Sequence, residues 1–372
     1  MSTQTLEKKQ NTAITPNERN MGIDLLRIVA MLMVVLLHVW GPGGILFEVK
    51  SGTAHYQAAW LLELAIFCAI NCYGIISGYV GIYGKYRYTS FVLLWLQVTG
   101  YNVLITLFYH LRQPDVVPFS SVIDAFFPIC NNTFWYFTAY AGMFFLIPIF
   151  NRAAQSFTKK QFKSVLIALF VALCVLPSIF NRDIFLSGWG YSALWLSFLY
   201  ITGAYIRLHG FFKNSTLVAS IIYVASVLIS WGIKLYEEYL SPAAYWADLA
   251  SGRVAQYSSP FMFLAGLSLV VIFANLKLPK AVSKAVSVIA PCTFGVYILH
   301  TQTNVWYKII TYKYAHFVDY PVLKMIIAAI VTAACIFAAL WVMDFVRSLI
   351  FKLLRLKPLL LKAEKKLLGD LW

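Results

Sequence analysis

The residues able to do chemistry in this chain are polar side chains set inside long apolar stretches. The first such stretch reads Asp24-Leu-Leu-Arg27, then ten residues, then His38. At about 100° per residue the eleven steps from Arg27 to His38 turn about 1100°, within about 20° of three whole turns. Both side chains therefore share one helix face, about 16 Å apart along the axis. Asp24 lies one turn before Arg27 on the same side and is placed to pair with it. Histidine ordinarily titrates near neutrality and is the side chain best suited to take and return a proton. Glu63 and His300 also interrupt apolar runs. Counted from the span ends at 1.5 Å per residue, His38, Glu63 and His300 fall near one plane in the outer third of a bilayer. A glutamate beside a histidine would orient the imidazole. Ionisable groups at such depth are costly, so each is a functional candidate.

The elements that must position these groups follow from composition. Of 372 residues 60% are hydrophobic and 12% charged, against roughly 45–50% and 25% in soluble domains. Mean hydropathy is +0.72. Apolar stretches near 24–45, 58–83, 90–110, 133–150, 164–180, 189–206, 215–236, 256–275, 286–308 and 322–351 are each of the order needed to cross about 30 Å of hydrocarbon. The pattern predicts an all-α, polytopic membrane bundle of about ten transmembrane helices. It divides into a disordered N-terminus (1–20), a transmembrane domain (21–350) and a basic amphipathic tail (351–372).

The net charge of +15 does not point to nucleic acid, because the charges sit between the spans. Of the 30 Lys and Arg residues, 21 fall on the side of the termini and 8 on the other; Arg27 is the remaining one. The positive-inside rule then puts both termini in the cytoplasm. The first apolar run starts after about twenty residues and lacks a small-x-small site, so it reads as a span rather than a cleaved leader. The Leu/Lys tail is predicted to lie on the anionic inner leaflet. The six cysteines show no metal-ligand spacing, and no metal is expected. The loop from Tyr236 through Tyr245, Trp246 and Asp248 carries aromatics and carboxylates that suit a sugar as well as they suit an interfacial belt.

The segment from Asp24 through Arg27 to His38 resembles the opening of the acyltransferase-3 family of integral membrane acyltransferases, which place an Arg and a His ten residues apart on the first helix. Ile76-Ser77-Gly78-Tyr79 is similar to the family's Ser-Gly-Phe element. Asn132-Thr133-Phe134-Trp135-Tyr136-Phe137 resembles its Trp-containing start of a later helix. Tyr200-Ile-Thr-Gly203-Ala204-Tyr205 and Thr293-Phe-Gly295-Val-Tyr297-Ile-Leu-His300 resemble its later glycine and Tyr-x-x-His elements. Many members follow Ser-Gly-Phe with a paired arginine; here the stretch is Gly84-Lys85-Tyr86-Arg87.

The resemblance implies transfer of an acyl group, usually acetyl from cytosolic acetyl-CoA, to a hydroxyl of a cell-surface polysaccharide or lipid-linked sugar. His38 and Arg27 are the matched functional residues, with Glu63 beside them as a third catalytic candidate. His38 would act as base or as a covalent acyl carrier. Arg27, too far along the axis to serve His38 directly, would contact the donor, with Lys85 and Arg87 at its phosphates. Trp135, Tyr297 and His300 are the candidate acceptor-binding residues. The implied setting is a bacterial plasma membrane, with the bilayer, acyl-CoA and a glycan acceptor as partners, and a homo-oligomer is allowed. The rival readings are a transporter or flippase for a lipid-linked sugar and a non-catalytic membrane sensor. Against the flippase, the sequence shows no inverted repeat and no matched pair of broken helices.

Overall fold

The computed structural model describes residues 19–211, 214–240 and 254–369. Most of the expected disordered N-terminus and of the aromatic loop after Tyr236 lies outside the described residues. Among those residues all regular structure is helical. The chain forms α1 (Met21–Trp40), α2 (Ala54–Ile66), α3 (Ala69–Gly81), α4 (Tyr88–Arg112), α5 (Trp135–Ser156), α6 (Lys159–Phe180), α7 (Ala193–His209), α8 (Ser215–Leu240), α9 (Pro260–Ala274), α10 (Lys280–Ile289), α11 (Thr293–Thr301), α12 (Thr303–Ile309), α13 (Val322–Leu353) and α14 (Leu356–Leu368).

Among the described residues seven helical segments are long and apolar enough to span a membrane: α1, α2 with α3, α4, α6, Ser215–Tyr236 of α8, α10 with α11, and α13. Helices stand at the other three predicted places too, but they are shorter or more polar. α9 has 15 residues and α7 has 17. α5 has 22 but includes Pro148, Asn151, Arg152 and Gln155. α7 is largely enclosed by protein, burying Trp195 through Tyr200 almost without interruption, so a lipid-matched length is not demanded of it. Seven segments therefore meet the length and hydropathy of a membrane span, and the other three expected places hold shorter or more polar helices.

Two spans are interrupted. α2 gives way to α3 at Phe67–Cys68, and α10 to α11 through a 3-10 turn at Ala290–Cys292. Pro291 marks the second break, since proline cannot continue the backbone ladder. Nothing in the sequence marks the first.

Close helix approach in a bilayer depends on small residues. Gly78 of α3 and Gly203 of α7 face each other's backbones. A Cβ on Gly78 would lie 1.7 Å from the Tyr200 carbonyl oxygen, and one on Gly203 would lie 1.9 Å from that of Ile75. The Ser-Gly and Tyr-x-x-Gly elements are therefore the two halves of one helix crossing. Gly295 of α11 performs the same service for a charge. Asp344 of α13 is fully buried and receives Gln97 Nε2 and Tyr101 OH from α4, each at 2.9 Å, and a two-pronged pair from Arg347 at 2.9 and 2.8 Å. Its carboxyl rests on Gly295, where a Cβ would meet Cγ at 2.0 Å.

α1 rises from one end of the bundle and the α2–α3 span descends to that same end. There the tail helix α14 docks on the start of α4. Glu364 accepts the backbone N–H groups of Tyr88 and Thr89 at 3.1 and 3.0 Å, and the Thr89 hydroxyl. The tail thus lies against protein as well as facing outward.

Gly295→Ala is expected to destabilise the protein by about 1–3 kcal/mol through overpacking. Gly100→Ala, with nothing within 4 Å of its Cβ, is expected to be neutral or stabilising by up to about 1 kcal/mol. Thermal midpoints in detergent measure both, and equal midpoints would remove Gly295 from its packing role.

Candidate functional site: a histidine pair between a basic end and an aromatic cleft

α1 starts with Asn20 as its cap, whose Oδ1 accepts the Ile23 N–H at 3.1 Å. The Asn20 amide also donates to the Ala274 carbonyl at 2.8 Å, pinning α1 to the end of α9. Asp24 is buried and holds Arg19 Nε at 2.5 Å and Arg27 Nη1 at 3.0 Å. The Arg27 side chain keeps 30% of its surface exposed, so much of its fork of donors is open. Tyr73 of α3 donates to the Arg27 carbonyl at 2.6 Å.

Above Arg27 a row of tyrosine rings leads into the bundle. Tyr73 meets Tyr136 edge-on at 6.4 Å, Tyr136 meets Tyr297 at 5.9 Å, and Tyr297 meets the His300 ring at 6.2 Å.

The row of rings ends at two histidines. His38 Nδ1 lies 2.8 Å from His300 Nε2, and His300 Nδ1 lies 2.6 Å from the Val296 carbonyl oxygen. A carbonyl only accepts, so His300 carries its proton on Nδ1 and presents a lone pair at Nε2. That lone pair holds the proton of His38 on Nδ1 and leaves His38 Nε2 free to act as a base. Trp306 packs edge-on against His38 at 4.8 Å and fixes its ring plane. His300 is wholly buried, while His38 remains partly accessible.

Glu63 is buried on α2 near this depth. Trp40 Nε1 bonds the Ala59 carbonyl at 3.1 Å. Counted from that bond at 1.5 Å per residue, His38 lies about 3 Å and Glu63 about 6 Å toward the basic end. Among the described residues Glu63 makes no hydrogen bond to His38; the partner that sets the His38 tautomer is His300. Phe67, one turn after Glu63 at the end of α2, stacks on Tyr257 at 4.8 Å, and Tyr257 meets Tyr191 at 4.8 Å. Trp135 closes the same cluster, 4.5 Å from Tyr191 and stacked on Tyr257 at 5.8 Å and 22°. Asn71 of α3 holds this wall in place: its amide donates to the Tyr257 carbonyl at 2.9 Å, and its Oδ1 accepts Trp195 Nε1 at 3.0 Å.

At the basic end Lys85 and Arg87 line a cavity of about 520 Å³ whose other wall is the tail, with Lys357, Lys365 and Glu364. Burial alone would oppose ionisation of Glu364. The hydrogen bonds from Thr89 and Tyr88, with the Arg87 charge nearby, outweigh that and hold its carboxyl below the ordinary range.

The structure thus brings His38, His300 and Tyr297 together. It sets Trp135 against Tyr191 and Tyr257, leaves Glu63 without a bond to His38, and groups Lys85 with Arg87 at the basic end. The pairing of His38 with His300 was open to sequence only through their equal depth. Lys357, Glu364 and Lys365 carry no motif, and their place in the basic cavity follows from tail docking alone.

A folded-state value below the ordinary one means that tail docking is favoured at neutral pH and weakens as pH falls through that value. Spin labels at Lys85→Cys and Lys362→Cys, with Cys130 and Cys335 replaced by serine, should report a narrow distance distribution at pH 7. It should broaden once pH falls below the ordinary glutamate range, and already at pH 7 in Glu364→Gln. A distribution unchanged in that variant would show that Glu364 does not hold the tail.

A family model for the acyltransferase-3 family, described as "Acyltransferase domain", matches residues 20–343. No curated protein and no solved structure matches the chain. The match begins at the cap of α1 and runs into α13, so it takes in the Arg27–His38 helix, the glycine crossing and the histidine pair. Taken with its seven apolar spans, it makes this chain a multi-pass membrane acyltransferase of the acyltransferase-3 family.

Proposed function

We propose that the protein is an O-acyltransferase that moves acetyl from cytosolic acetyl-CoA to a hydroxyl of a cell-surface polysaccharide or lipid-linked sugar. The observation that carries this reading is the His38–His300–Val296 chain, which leaves His38 Nε2 as an unblocked base on the same helix as Arg27.

In this mechanism His38 Nε2 takes the proton from the acceptor hydroxyl as its oxygen attacks the thioester carbonyl. The carbon–sulfur bond then breaks, and His38 returns the proton to the departing thiolate. The products are the acetyl ester and CoA. While His38 is doubly protonated, its Nδ1–H remains bonded to His300 Nε2, which stabilises the cation without moving the ring. His300 is then a positioning residue rather than a contact of the acceptor. Arg27, with its open donors, suits the pyrophosphate or pantetheine part of the donor. Lys85 and Arg87 suit the nucleotide phosphates. Trp135 and Tyr297 lie toward the acceptor.

The 21-to-8 partition of Lys and Arg supports cytosolic termini, and with them a cytosolic basic end. A cell membrane of bacterial type is the proposed location.

The test is transfer of radiolabelled acetyl from acetyl-CoA into the glycan and lipid fractions of membrane vesicles. His38→Ala at matched protein level is expected to lose at least about 100-fold of the rate, the scale of a general base. His300→Ala is expected to lose about 10- to 100-fold through misorientation of His38, as for an outer-shell partner. Arg27→Lys is expected to raise KM for acetyl-CoA more than it lowers kcat. Label that persists in His38→Ala would remove His38 from the chemistry. Absence of label with the wild type across glycan and lipid fractions would move weight to a lipid-linked sugar transporter.

A further inference from the structure

The cavity at the basic end is built from two distant stretches of chain. Lys85, Tyr86 and Arg87 stand on one side, just before α4, and Lys357, Glu364 and Lys365 of α14 stand on the other. The tail side lies outside the matched family domain, which ends at residue 343. α13 runs to Leu353, and Arg355, in the left-handed region at φ 49°, turns the chain so that α14 returns to the start of α4. Tyr86 stacks on Phe144 of α5 at 4.8 Å and 28°, which fixes the opposite wall.

Cations gathered around one cavity repel each other. The carboxylate in the wall, Glu364, is already engaged by the N–H groups of Tyr88 and Thr89 at 3.1 and 3.0 Å and by the Thr89 hydroxyl. Those N–H groups are the positive end of α4, a helix of 25 residues. Lys85, Arg87 and Lys357 form no ion pair among the described residues. An anion bridging the two walls would relieve the repulsion. Ammonium and guanidinium groups on opposite sides suit an ester of phosphate, whose several oxygens accept from both walls at once. A cavity of about 520 Å³ is the size of a small-molecule site, larger than a lone ion needs. On the same tail Leu359 and Leu367 are exposed, apolar side chains that a bilayer surface would cover.

We infer that the tail completes a binding site for a phosphate ester, in which Lys357 and Lys365 hold from one side what Lys85 and Arg87 hold from the other. Two molecules at such a surface carry this chemistry: the nucleotide end of an acyl-CoA and the headgroup of an anionic phospholipid. With the nucleotide, the tail is a part of the donor site that the family domain does not include. With the lipid, it is an anchor beside that site. The tail site itself does not rest on the acyltransferase reading.

The test uses the purified full-length protein in detergent. Isothermal titration follows binding of CoA, and native mass spectrometry follows retention of phosphatidylglycerol against phosphatidylcholine. Saturable binding of CoA, or selective retention of phosphatidylglycerol, is expected. Lys357→Gln combined with Lys365→Gln, both exposed positions, should weaken that ligand at least about tenfold through loss of two charge-assisted contacts. Lys362→Gln combined with Lys366→Gln makes the same change of charge on the tail outside the cavity and should stay within about twofold of the wild type. A loss confined to CoA assigns the site to the nucleotide, and one confined to phosphatidylglycerol assigns it to lipid. Binding of neither ligand to the wild type, or the same affinity in the two double variants, overturns the site. Lysine-dependent lipid retention in a protein that does not bind CoA would keep the site and overturn the acyltransferase reading instead.

Discussion

In hydrocarbon there is no water to satisfy a polar group, so each one must find a partner within the protein or remain costly. That constraint organises the interior of this bundle. Asp344 shows it most fully: a carboxyl with no exposed surface, bonded by Gln97, Tyr101 and Arg347, and given room only because Gly295 has no side chain. Asp24 repeats the solution at the basic end with Arg19 and Arg27. Buried ionic groups are rarely a net gain over apolar packing. What Asp344 contributes here is register, since it ties α13 to α4 through Gln97 and Tyr101.

The same constraint makes the histidine pair informative. Val296, an ordinary backbone carbonyl in the first turn of a short half-helix, decides which nitrogen of His300 carries the proton, and His300 decides it for His38. The directionality comes from the inability of a carbonyl to donate. The break between α10 and α11 matters for this reason: it begins a new half-helix whose residues present His300 to α1 while Gly295 admits Asp344 from behind.

Against that background the groups left unsatisfied stand out. Among the described residues Glu63 Oε2 and Trp60 Nε1 are buried without a hydrogen-bond partner, as are the hydroxyls of Thr99, Thr138, Ser230 and Ser259. Arg27 differs in another way, with one bond to Asp24 and the remainder of its fork open. Arg27 stands toward the basic end and the Trp135–Tyr191–Tyr257 cluster toward the other.

Much of this was legible in the sequence for a physical reason. Membrane spans are written as uninterrupted apolar length, and the helix period alone put Arg27 and His38 on one face and Asp24 within reach of Arg27. Depth is also additive along a helix, so the common level of His38, Glu63 and His300 followed from counting residues. Neighbourhood is not additive in that way. That His38 meets His300 and not Glu63 depends on which helices adjoin and how each is rotated. Local sequence does not encode this, because every helix in lipid is apolar on most sides. The glycines at 78, 203 and 295 read as weak motif elements until their partners across the interface are known. The tail read as a membrane-surface helix from its Leu and Lys residues, and only the tertiary structure set Glu364 on the first N–H groups of α4. Sequence determined the solvent, the helices and the depth of the chemistry; the tertiary structure alone decided which polar group faces which, because helix rotation is set by close packing between spans that share the same apolar composition.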